Sequence, residues 1–235
     1  MPDDGSYGGR RTDKCFRCKK QRDAKQKNGT YLHQVPEITD SKDLRETTAV
    51  ITYALEQDKE LFKVPEELEK AYFMIGVMAV TIGGQEHFFA TSSGWKNYKA
   101  GENWLKPAHL KNVGNKWKIH HPRKPDAAGK WRTILNYNAH ISPELHAIID
   151  PCAATRLLIQ VAQSNTEQKQ ITNLKMCEMV FVGKDVDVTK PQLQYNARTW
   201  KGHMSDSSWT AHSCEKCMQS IPYLICSRPD NEIPD

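Results

Sequence analysis

Residues 71–94 read AYFMIGVMAVTIGGQEHFFATSSG, two apolar segments around the Gly83-Gly84 pair. The first segment is almost uninterruptedly apolar, as in a strand buried on both faces. The second carries Phe88, Phe89 and Ala90 toward Gly94. Adjacent glycines supply the positive φ angles of a tight two-residue turn, so the stretch predicts a β-hairpin.

Downstream, residues 150–162 read DPCAATRLLIQVA. Asp150 suits an N-cap and Pro151 the first helical position, and Leu157, Leu158, Val161 and Ala162 form a buried stripe. This places Cys152 in the first turn of a helix. Residues 176–182 read as a strand and residues 185–211 as a long loop. Ser213 reads as the cap of a helix containing Cys214 and Cys217.

Upstream, Leu44, Ala49, Ile51, Ala54, Leu55, Leu61 and Leu68 among charges predict amphipathic helices within 41–72, the second beginning near Pro65. Residues 1–40 are rich in Gly, Lys, Arg and Asp with little apolar periodicity, which predicts an arm outside the core. The resulting division is a basic arm with short helices over 1–68 and a main domain over 69–235, with a basic insertion at 95–141. In that insertion Trp95, Trp104, Trp117 and Trp131 interleave with Lys96, Lys106, Lys116, Lys118 and Arg132.

The chain has 235 residues, and its 33 Lys+Arg against 28 Asp+Glu give a formal charge of +5, which favours an anionic partner. No stretch reaches the roughly 18 apolar residues of a membrane span, and Met1 leads into a polar, basic segment. The expectation is a soluble, unprocessed intracellular protein with no membrane partner. Seven cysteines, at 15, 18, 152, 177, 214, 217 and 226, include two Cys-x-x-Cys pairs. An odd count fits a disulfide framework poorly, whereas the two-residue gap lets both thiolates reach one tetrahedral ion, so the expected cofactor is Zn2+. Three thiolates at helix N-termini would leave the fourth position open for an activated water.

Hairpin, helix beginning Cys152-Ala153, strand, and helix beginning CEKC at 214–217 together resemble the zinc-dependent cytidine deaminase superfamily, over about residues 69 to 226. The resemblance implies an α/β fold, a three-layer sandwich with a mixed sheet and both cysteine-bearing helices against one face. Residues 223–226 are the sole candidate for a closing strand. It also implies hydrolytic deamination of cytosine to uracil, with Cys152, Cys214 and Cys217 as zinc ligands. Ser92, Ser93, Gly94 and Trp95 would line the substrate pocket, with Trp95 stacking on a base. Two departures stand out. Ser213 replaces the usual proline, which affects only a turn. Ala154 stands where the family has its proton-shuttling glutamate, and a methyl group cannot transfer a proton. The site is thus expected to be inactive as it stands, either as a natural pseudoenzyme or through a deliberate Glu→Ala change. The second is favoured because one restored residue yields an ordinary family helix.

The basic aromatic insertion favours a polymer, DNA first, single- or double-stranded, with RNA also open. It also reads as a solvated face with tryptophans packed beneath it. Resemblance to the toxic tips of bacterial polymorphic toxins adds delivery as a toxin domain and an immunity protein as a partner. The competing reading joins Cys15, Cys18, Cys214 and Cys217 in a zinc ribbon, a nucleic-acid-binding module without catalysis. His146 reads as a solvated or core histidine, and Cys177 and Cys226 as apolar fillers.

Overall fold

A computed structural model describes residues 14–15, 17–21, 38–58, 72–93, 104–119, 131–134, 138–139, 152–182, 194–195, 198–199, 215–226 and 228. The hairpin is its centre. Strands β1 (Tyr72–Ile82) and β2 (Gln85–Ser92) pair antiparallel from Ile82↔Gln85 to Ile75↔Ser92. Gly83 and Gly84 turn the chain at φ +56° and +84°, a left-handed pair that side chains with a Cβ rarely adopt.

Strands β3 (Trp117–Ile119), β4 (Trp131–Arg132), β5 (Asn138–Ala139) and β6 (Ile171–Val182) follow. Strand β6 pairs antiparallel with β1 along its length, and β3 pairs parallel with β2, giving the order β3-β2-β1-β6 in a mixed sheet. Strands β2 and β6 therefore run in the same direction on either side of β1. Joining them needs a crossover, and α2 (Ala153–Ser164) lies on that connection.

Alternation along the strands divides the core in two. Met78, Val80, Ile82, Phe89, Leu174 and Met176 pack with Leu157, Leu158 and Val161 of α2 and with Ile221 and Leu224 of α3 (Glu215–Leu224). On the opposite face Phe73, Ile75, Val77, Ala90, Met179 and Phe181 pack with Leu44, Ile51 and Leu55 of α1 (Lys42–Glu56). The molecule is thus α/β in three layers, with α2 and α3 on one face and α1 on the other. Ser41 caps α1, its hydroxyl accepting from the Leu44 N–H at 3.4 Å. No helix among the described residues is long and apolar enough to cross a membrane.

Several local expectations are corrected. One 15-residue helix, α1, occupies the first part of 41–72, and the helix expected from Pro65 lies outside the described residues. The strand expected at 176–182 begins five residues earlier, at Ile171. Within the loop expected at 185–211, β7 (Gln194–Tyr195) and β8 (Arg198–Thr199) form a small hairpin. The closing strand at 223–226 is replaced by the end of α3, which runs past Pro222 to Leu224. Residues 1–40 are not wholly outside the core: Ile38 is fully buried against the α2 side, and Thr39 pairs with β6 through bonds to Leu174 and Met176.

Part of the 95–141 segment is core as well. Trp104, Leu105, Leu110 and Trp117 are buried on the α1 side, and the Phe73 ring stacks between Trp104 and Phe181 at 5.6 and 4.8 Å. A 3-10 helix (Pro107–Val113) fastens this region to the end of α1, through His109 Nε2 and Asp58 Oδ2 at 2.9 Å. Trp104 and Trp117 are therefore packing residues, with no ring face offered to a base, as the solvated-face reading of the insertion expects.

Candidate metal centres

Cys152 does not sit inside the first helical turn. It is the N-cap of α2, with extended backbone (φ −75°, ψ 142°), and its carbonyl accepts from the Arg156 N–H at 3.1 Å. Asp150 and Pro151, the expected cap and first helical residue, lie outside the described residues. The Cys152 side chain makes no capping bond. That task falls to Glu178 on β6, whose Oε1 accepts from the Ala154 N–H at 2.9 Å. A carboxylate suits this position, because the unpaired N–H groups of a helix start favour negative charge.

Two further features bring the start of α2 against the sheet. Gly76, opposite Glu178 in the β1–β6 pairing, has no Cβ, and one built there would lie 3.0 Å from Leu157 Cδ1 and 3.1 Å from Ala153 Cβ. Only glycine lets the helix approach so closely. Arg156, 1 % exposed, donates from its guanidinium to the Ser92 carbonyl at 2.7 Å, which ties the end of β2 to α2.

The serines expected to line a pocket are buried and engaged with main chain. Ser92 Oγ accepts from the Trp104 N–H at 2.9 Å, and Ser93 Oγ accepts from the Met74 N–H at 2.8 Å. They hold the mouth of the hairpin in place. Gly94 and Trp95 lie outside the described residues, as do Cys214 and His146.

Cys217, in the first turn of α3, is buried in the same core cluster as Ala154 and Leu157, and the half-buried Cys152 packs against that cluster. Helices α2 and α3 are in contact. The structure thus brings two of the three expected zinc ligands to one core. Thiolate donors near helix starts suit zinc chemically, and Cys214, three residues before Cys217, is the third of the expected set.

A second group of cysteines is more compact. The sulfur atoms of Cys15, Cys18 and Cys226 all lie within 4.8 Å of one another, all three residues are fully buried, and none is in a disulfide. The group could hold a metal ion. Cys15 and Cys18 are therefore not placed with Cys217, which belongs to the α2-side core, so the four-cysteine ribbon of 15, 18, 214 and 217 is not the grouping observed. Nor is Cys226 an apolar filler: it completes this cluster, whereas Cys177 is buried in the core on the α1 side. The side chains of Cys18 and Cys226, then burial, push the Cys15 thiol far above its ordinary range, while the Cys18 backbone N–H pulls it down.

Sequence reasoning saw Cys15 and Cys18 but not their partner. The available signal was the odd cysteine left over after the second Cys-x-x-Cys pair. No protein-family model, no curated protein and no solved structure matches this chain.

Proposed function

We propose that the chain is a zinc-dependent cytosine deaminase of nucleic acid whose proton-transfer residue is missing. One observation carries the reading: in the order β2, α2, β6, α3, the two helices meet on one face of the sheet, with Cys152 at the start of α2 and Cys217 in the first turn of α3 sharing one core. Cys152, Cys214 and Cys217 would hold zinc, which supplies an acidified water as nucleophile toward the C4 position of cytosine.

The chain's own residues then explain why turnover stops. Ala154 occupies the second helical position behind Cys152 and offers no group that accepts or returns a proton. Glu178 engages the Ala154 backbone and acts as a cap for the helix. Arg156 and Ser92 hold the hairpin end beside the α2 start, where a base would enter. The formal charge of +5 supports a polyanionic substrate.

The test is an Ala154→Glu chain incubated with cytosine-containing single- and double-stranded DNA and RNA. Uracil is expected from at least one polymer, and Cys152→Ala in the same background should abolish it. A zinc-loaded Ala154→Glu chain that forms no uracil on any of them overturns the reading.

A further inference from the structure

The described residues 14–15 and 17–21 form a turn that brings two cysteines together. Lys14 and Gln21 pair antiparallel, the Cys15 N–H donates to the Lys20 carbonyl at 2.8 Å, and the Lys19 N–H donates to the Cys15 carbonyl at 2.9 Å. Lys19, directly after Cys18, is held at φ +57°, the left-handed region that costs a residue with a Cβ about 1 kcal/mol or more. Such a turn needs something to hold it. Among the described residues its apolar cluster consists of Cys15, Cys18 and Cys226, three buried sulfurs, two of them within a segment rich in Lys and Arg.

We propose that Cys15, Cys18 and Cys226 are ligands of a structural zinc ion, distinct from the Cys152 centre, which fastens the 14–21 hairpin to the end of α3. Sulfurs around tetrahedral zinc sit ~3.8 Å apart, as Zn–S bonds of about 2.3 Å require, and the three observed sulfurs are gathered within 4.8 Å. Three convergent thiols fit a disulfide poorly, since any pair that bonded would leave the third buried beside it. Sulfur-only donors select a soft or borderline ion, of which zinc adds no redox chemistry to a buried site, its fourth position being filled by a donor other than these three sulfurs.

The surroundings fit a clamp. Cys226 lies two residues past the end of α3, its N–H donating to the Tyr223 carbonyl at 3.3 Å, and the Arg17 guanidinium donates to the Arg228 carbonyl. The Leu224 carbonyl accepts from the Ile134 N–H at 2.9 Å, which joins the same helix end to the β4 segment. The ion would thus fix one end of the helix whose other end carries Cys217.

Zinc per chain, measured on the purified full chain, tests the proposal independently of any activity. Cys15→Ser and Cys226→Ser should each lose one equivalent, Cys217→Ala should retain that equivalent, and Cys177→Ala should change nothing. Unchanged zinc in both Cys15→Ser and Cys226→Ser overturns the assignment. Should those variants fail to fold, the Cys217→Ala chain expressed in cobalt-supplemented medium reads the same centre. Sulfur-to-cobalt charge-transfer absorption is then expected, and its absence overturns the proposal. Loss of zinc on Cys226→Ser from a chain whose Ala154→Glu variant makes no uracil would leave the clamp standing and remove only the deaminase reading.

Discussion

Glu178 and Ala154 are joined across two elements, a strand carboxylate accepting a backbone N–H of the neighbouring helix at 2.9 Å, with Glu178 only 3 % exposed. The bond satisfies a helix-start donor that Cys152 leaves to others. Replacing Glu178 by Ala should cost about 1–3 kcal/mol, the penalty for stranding a buried donor. Glu178→Gln, which keeps an acceptor without a carboxylate, should cost only about 0.3–1 kcal/mol, what a helix start gives an anion. Urea unfolding of both variants, with hydrogen exchange at the Ala154 amide, reads the difference.

Gly76 sets how closely α2 lies on β1. Gly76→Val should destabilise by about 1–3 kcal/mol, because Leu157 and Ala153 already stand where the new side chain would go. Gly84→Asn, in the hairpin turn where a new Cβ meets nothing within 4 Å, should cost well under 1 kcal/mol, as asparagine tolerates the left-handed region. Paired thermal melts compare the two.

Asn165 closes α2 by bonding three main-chain groups: its amide donates to the Ile134 and Lys169 carbonyls at 3.1 and 2.9 Å, and its oxygen accepts from the Lys169 N–H at 2.7 Å. At about 1 kcal/mol for each bond, Asn165→Ala should lose roughly 2–3 kcal/mol. Asn165→Asp would set a buried carboxylate oxygen against the same two carbonyls at a helix C-terminus and should cost at least as much as Asn165→Ala. Denaturant midpoints settle the order.

Burial, and then the Lys118 charge, lower the pKa of His87 below the ordinary imidazole value of about 6.5. A lowered folded-state value means the unfolded chain takes the proton first as pH falls. The His87 contribution is therefore constant above pH 6.5 and turns against folding as pH drops through that value toward the lower folded one. Urea midpoints of wild type and His87→Gln should run parallel above about pH 7 and converge or cross below 6.5.

The hairpin was legible because a near-continuous apolar run, two glycines and a second apolar run leave one economical folding. The Cys152 helix was legible from its leucine stripe, with its start displaced because Cys152 itself caps it. Two readings failed where information is not local. Residues 223–226 read as a short apolar strand, yet Tyr223 and Leu224 end α3 and pack into the core on the α2 side, so no strand forms there. Cys226 looked inert because its partners lie at the other end of the sequence, and spacing rules see only neighbours. Trp104 and Trp117 pack beneath the basic residues around them, because composition records ring and charge without recording which way each faces.

The Cys15, Cys18 and Cys226 cluster also has a kinetic side. Two of its sulfurs precede the strands and helices of the sheet in the sequence and the third follows α3, so the set forms only after the elements between them have been made. A cross-link spanning so long a loop removes about 5 kcal/mol of entropy from the unfolded chain. With metal bound, the same cross-link makes opening of α3 and release of the early hairpin a single event, and a protease waiting on either end meets the stability of both.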